Sequence, residues 1–108
     1  MITTHVLDTA RGRPAAGVPV ILEREHGGAW LRVGSGATDS DGRLRTLAAP
    51  PIAGVYRLRF DTGAYFRATG QTGFYPLVEV VFTVIDPSGH FHVPLLLSPY
   101  GYSTYRGS

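Results

Sequence analysis

The chain is 108 residues long, with 44% hydrophobic and 17% charged side chains. That is enough for one globular domain, residues 1–108, burying roughly two thirds of its unfolded surface, and too apolar for a disordered segment. The formal charge is only +2, and the ten cationic residues are all arginine, scattered from Arg11 to Arg106. A nucleic-acid partner, which needs cations gathered on one face, is therefore not expected, and a few arginines at a small anionic ligand are.

No cysteine is present, which removes disulfides, thiolate metal sites and a cysteine nucleophile together. No apolar run approaches the roughly 18 residues of a membrane span. "MITTHVLD" enters a strand-like alternation at once, without a basic or apolar leader, so a cytoplasmic protein with no membrane partner is expected.

Fourteen glycines and eight prolines leave segments too short for a helical bundle, and an all-β fold is expected. In chain order, strands are expected at Ile2–Asp8, Val18–Glu25, Ala29–Gly34, Leu44–Thr46 and Val55–Asp61. One short helix follows at Thr62–Thr69, capped by Asp61 or Thr62 and stopped by Gly70. Strands resume at Val78–Ile85, His90–Leu97 and Gly101–Arg106, and eight short strands imply a two-sheet sandwich.

Alternation assigns faces within these strands. In "VYRLRFD" Tyr56, Leu58 and Phe60 share a core face, with Arg57 and Arg59 opposite; Val78, Val80, Phe82 and Val84 form a second such face. "RGRPAAG", "ATDSDGR" and "DPSGH" are expected turns, the last two because Asp, Ser and Gly supply local hydrogen bonds and positive φ.

Histidine is the side chain whose unperturbed pKa lies between pH 5 and 8, so the four histidines are the first candidates for chemistry. His26, before Gly27–Gly28, reads as plain surface at a hairpin. His90 and His92, two apart in a strand, share a face; with His5 they could hold zinc, although no carboxylate motif accompanies them. His5 lies in the first strand on the face of Thr3 and Leu7, and a lone strand histidine is most often structural. Arg43, closing "DSDGR", would by itself be a solvated turn residue. No Gly-x-Ser-x-Gly elbow or phosphate-cradling loop is present, so hydrolysis would use activated water rather than a serine intermediate.

Four stretches in this order and spacing, "THVLDTARGRPAAGVPV", "DSDGR", "DTGAYF…FYPLVEVVF" and "HFHVPLLLSPYGYSTYRGS", resemble the 5-hydroxyisourate hydrolases, the transthyretin-like enzymes of urate breakdown. The terminal Tyr-Arg-Gly-Ser is the most specific part, since it separates these enzymes from transthyretin proper. The resemblance implies a transthyretin-like, two-sheet, eight-stranded sandwich with one short helix. It also implies a homotetramer, a dimer of dimers joined by edge strands around a central channel.

For activity, the resemblance implies that water attacks a ring carbonyl of 5-hydroxyisourate, opening the six-membered ring to 2-oxo-4-hydroxy-4-carboxy-5-ureidoimidazoline, with no metal or organic cofactor. Carried over residue by residue, it makes His5, Arg43, His92 and Ser108 catalytic, and His5, Arg43, Tyr105, Arg106 and Gly107 substrate-binding. His90 is left without a catalytic role, and the choice of His5 or His92 as base stays open, as does whether Ser108 acts through its hydroxyl or a terminal carboxylate. Two rival classes remain: a non-catalytic transthyretin-like carrier of a small aromatic ligand, and a fibronectin-like adhesion module.

Overall fold

The computed structural model describes residues 1–45 and 51–107. Nine strands and one helix follow in the order β1 (Ile2–Asp8), β2 (Arg13–Pro14), β3 (Pro19–His26), β4 (Ala29–Ala37), β5 (Arg43–Leu44), β6 (Gly54–Phe60), α1 (Thr62–Ala68), β7 (Val78–Val84), β8 (Phe91–Ser98) and β9 (Gly101–Thr104). One sheet runs β2-β1-β8-β9, with β5 also paired to β1, and the other runs β4-β3-β6-β7. The two-sheet sandwich with a single short helix is thus as expected among the described residues.

Several details differ from the sequence reading: β4 runs on to Ala37 and the last strand stops at Thr104, short of the expected Arg106. "RGRPAAG" contains a two-residue strand, because Leu7 and Asp8 pair with Pro14 and Arg13. The strand around residue 44 covers only Arg43–Leu44, and the expected Thr46 lies outside the described residues. Gly89 is not among the glycines with positive φ; the "DPSGH" turn is held instead by the Asp86 carboxylate, which accepts from the Ser88 amide and hydroxyl.

Alternation decides which side chains meet between the sheets. Val6, Leu22, Tyr56, Leu58, Phe60, Val78, Val84, Leu95 and Leu97 are buried there, each fully buried aliphatic chain contributing roughly 1.5–3 kcal/mol relative to exposure. On the far side of the second sheet, Arg57 bridges Glu23 and Glu79 and stacks on Trp30 at 4.5 Å. Gly27 and Gly28 both take positive φ between β3 and β4, the requirement of a two-residue turn that matches strand twist.

The helix starts at Asp61, whose carboxylate accepts from the Ala64 amide. It is tied to the other sheet through Asp8, buried at 1% exposure, which accepts from the Tyr65 hydroxyl at 2.7 Å and the Gln71 amide at 3.1 Å. Burial alone would raise the Asp8 pKa, but hydrogen bonds from Tyr65, Arg11 and Gln71 outweigh it and hold the carboxyl below its usual range.

The outer face of the first sheet matters most for function. β1 and β8 run parallel, in a register that sets Thr3 beside His92, His5 beside Pro94 and Leu7 beside Leu96. On the other edge of β1, antiparallel β5 sets Arg43 beside His5. Leu44 packs against the core, so its neighbour Arg43 is turned to the outer side.

Candidate active site

The turn that presents Arg43 is built around one carboxylate. Asp39 accepts from the amides of Asp41 and Arg43, both at 2.9 Å, and its carbonyl accepts from the Gly42 amide at 2.9 Å. Hydrogen bonding from the Arg43 amide, reinforced by that of Asp41 and by the charges of Arg45 and Arg43, lowers the Asp39 pKa against an opposing effect of burial. The turn is clamped to β1, because the Gly42 carbonyl accepts from the Val6 amide at 2.7 Å.

His5 joins the clamp. Its Nε2 lies 2.8 Å from the Asp41 carbonyl, and a carbonyl only accepts, so Nε2 carries the proton. Gly42 is required at the closest point: its φ is +75°, and a Cβ would sit 2.4 Å from the Val6 carbonyl oxygen. Gly42→Ala is therefore expected to destabilise the fold by about 1–3 kcal/mol and to displace both Arg43 and the acceptor of His5. Thermal melts read the first effect and turnover the second; wild-type stability would refute the clamp.

His92 is half-buried and held on three sides. Its Nδ1 lies 2.8 Å from the Thr3 hydroxyl, which also lies 3.0 Å from Nε2 of His90. Its carbonyl accepts from the Gly107 amide at 2.8 Å, and a Cβ on Gly107 would approach the His92 ring to 2.5 Å. Only glycine lets the tail lie flat on this imidazole. Burial pushes the His92 pKa down, and the charges of Arg43, His5 and His90 push it the same way.

Thr3, Thr4, Arg43, Arg45, His90 and His92 line a recess of about 360 Å³. Its volume lies within the range of small-molecule sites. Thus two of the expected residues, Arg43 and His92, share one recess, and His5 stands beside Arg43 in the sheet. Among the described residues no three histidine, aspartate or glutamate side chains are grouped to hold a metal ion.

The tail is placed differently. Tyr105 and Arg106 line a second recess of about 250 Å³, walled by β7 and by His92. Arg106 lies over the Phe91 ring at 4.9 Å, and Tyr105 is 58% exposed. Gly107 contacts His92 directly, whereas Tyr105 and Arg106 line the second recess and not the first. Ser108 lies outside the described residues.

Sequence reasoning missed the Asp41 carbonyl, Arg45 and the bridging role of Thr3. Only Thr3 carried a signal, since alternation put it on the face of His5.

The model of the HIUase/Transthyretin family matches residues 2–107. The chain is similar to the 5-hydroxyisourate hydrolase of Mus musculus, with 49% identity over 99% of this chain and 94% of the relative. Among solved structures it resembles the 5-hydroxyisourate hydrolase of Klebsiella pneumoniae, with a TM-score of 0.87 and 39% identity over 99% of this chain and 98% of the other. It also resembles sea bream transthyretin in complex with thyroxine, with a TM-score of 0.92 and 36% identity over 98% and 93% of the two chains. The backbone is shared by enzyme and carrier, so the side chains must separate them.

Proposed function

The chain belongs to the HIUase/Transthyretin family, and we propose that its Arg43–His92 recess hydrolyses 5-hydroxyisourate in the breakdown of urate. The observation that carries this reading is a half-buried histidine kept below its usual pKa, facing the same recess as an arginine. A neutral imidazole near pH 7 can take a proton, and a guanidinium can hold an oxygen that gains charge. A carrier of an aromatic ligand would need neither.

In the proposed reaction His92 takes a proton from water as the water oxygen bonds to a ring carbonyl carbon. Arg43 stabilises the resulting oxyanion. The C–N bond then breaks, and the imidazolium returns its proton to the leaving nitrogen, so the base is regenerated. His5, whose Nε2 proton is committed to the Asp41 carbonyl, helps to bind and orient substrate. Tyr105, Arg106, Gly107 and Ser108 complete the substrate site, with Gly107 holding the tail against His92.

We further propose one domain over residues 1–108, assembled as a dimer of dimers in the cytoplasm. The edge positions of β7 and β9 support the assembly, as do their exposed Val81 and Tyr102, since pairing is one way to cover a strand edge. No helix among the described residues is long and apolar enough to cross a membrane.

The reading is tested by generating 5-hydroxyisourate in situ with a urate oxidase and following its ultraviolet decay. Acceleration over the spontaneous decay is expected, and its absence would overturn the reading.

A further inference from the structure

One group on the recess wall has no part in the reaction as written: the Thr3 hydroxyl. It is 6% exposed and stands between two imidazoles, 2.8 Å from Nδ1 of His92 and 3.0 Å from Nε2 of His90. A hydroxyl has one proton and two lone pairs. Its single proton can serve only one bare ring nitrogen, so at least one of the two rings must donate to it.

A general base needs a bare nitrogen facing the substrate. Nδ1 of His92 is committed to Thr3, and Nε2 makes no hydrogen bond among the described residues. Nε2 is therefore the nitrogen left for chemistry, and it is bare in the neutral ring only when Nδ1 carries the proton. With Nδ1–H donating to Thr3, the hydroxyl is free to give its own proton to Nε2 of His90. The opposite polarity would have Thr3 donate to Nδ1, put the proton on Nε2 of His92, and remove the base.

We propose that Thr3, backed by His90, is a positioning residue that holds His92 in the tautomer with Nδ1 protonated and Nε2 bare. This rests on the assignment of His92 as the base. When His92 accepts a proton at Nε2, its Nδ1–H bond to Thr3 is already in place, so neither ring nor hydroxyl must reorganise during the step. In this role Thr3 acts through the His92 ring and exchanges no proton with the substrate. The charged or titratable groups around His92 are His5 on β1, Arg43 on β5, Arg45 following it, His90 just before β8 and Arg106 in the tail.

The role separates from simple packing by substitution. Thr3→Val keeps the shape and removes the hydroxyl, whereas Thr3→Ser keeps the hydroxyl. Thr3→Val is expected to lower kcat at least about tenfold, short of the full worth of a general base, about 10²–10⁴-fold, because the ring is retained, with KM changed less than about threefold. Thr3→Ser is expected to recover most of kcat.

The second measurement needs no variant. Nitrogen-15 chemical shifts of the His92 ring in the wild-type protein above pH 7 should show a protonated Nδ1 and a bare Nε2. A Thr3→Val enzyme with wild-type kcat, or a wild-type His92 protonated at Nε2, would overturn the proposal. If Thr3→Val does not fold, the ring shifts decide. A wild-type protein inactive on 5-hydroxyisourate would refute the proposed function instead, so the two failures are distinguishable.

Discussion

His92→Asn is expected to lower kcat by about 10²–10⁴-fold, the usual worth of a positioned general base, while leaving a folded protein with a wild-type melt. Asparagine keeps polar atoms near Thr3 but cannot take a proton at neutral pH. Because His92 is only half-buried and packs against Gly107, the smaller side chain leaves little void.

The wild-type pH profile supplies an independent check. Burial, with Arg43, His5 and His90, lowers the His92 pKa from its ordinary 6.5. Activity needs the neutral form, so kcat/KM should fall on the acid side with a midpoint below 6.5. The lowered pKa thus extends the active range towards acid. An acid midpoint above 6.5, or an active His92→Asn variant, would remove His92 from the role of base and leave His5 as the candidate.

Arg43→Lys is expected to lower kcat by about 10²–10³-fold, the loss that follows removal of one aimed oxyanion donor. Lysine keeps the charge but loses the planar fork of donors. Its charge would still help to depress the His92 pKa, so the acid midpoint should stay where it is. Arg43→Ala removes that charge as well, and its acid midpoint should move up while kcat falls. Equal kcat for wild type and Arg43→Lys would reduce Arg43 to a point charge, and an unmoved midpoint in Arg43→Ala would deny its electrostatic effect on His92. Neither substitution should unfold the protein, since the turn is held by the backbone amides of Asp41 and Arg43 on Asp39, which both variants retain.

Much of this fold is written locally. The bounds of β1, the faces of β6 and β7 and the start of α1 follow from alternation and capping within a few residues, and the structure keeps them. Two of the misjudged segments have a form that depends on a distant partner. Arg13–Pro14 is a strand only because the end of β1 lies beside it. β9 ends at Thr104, and the tail then crosses to His92, where Gly107 forms an isolated bridge.

The candidate site divides along the same line. Residue types alone left His5 as a structural histidine and Arg43 as a solvated turn residue; the motif order, through the family resemblance, made His5, Arg43, His92 and the tail, residues 105–108, the candidates. A base and a fixed cation are chemical properties of single side chains, and the Asp-Gly-Arg turn and the two-residue alternation are short-range, so the candidates can be named from the sequence but not brought together.

Only the tertiary structure decided that His92 and Arg43 share a recess while Tyr105 and Arg106 line another, and that Thr3 stands between His90 and His92. Thr3 and His92 are 89 residues apart in the chain, joined by a parallel pairing whose register no local pattern specifies. A slip of one residue would turn every one of these side chains to the other face. The sequence determined which groups could do the chemistry, and the register of β1 against β8 and β5 determined which of them meet.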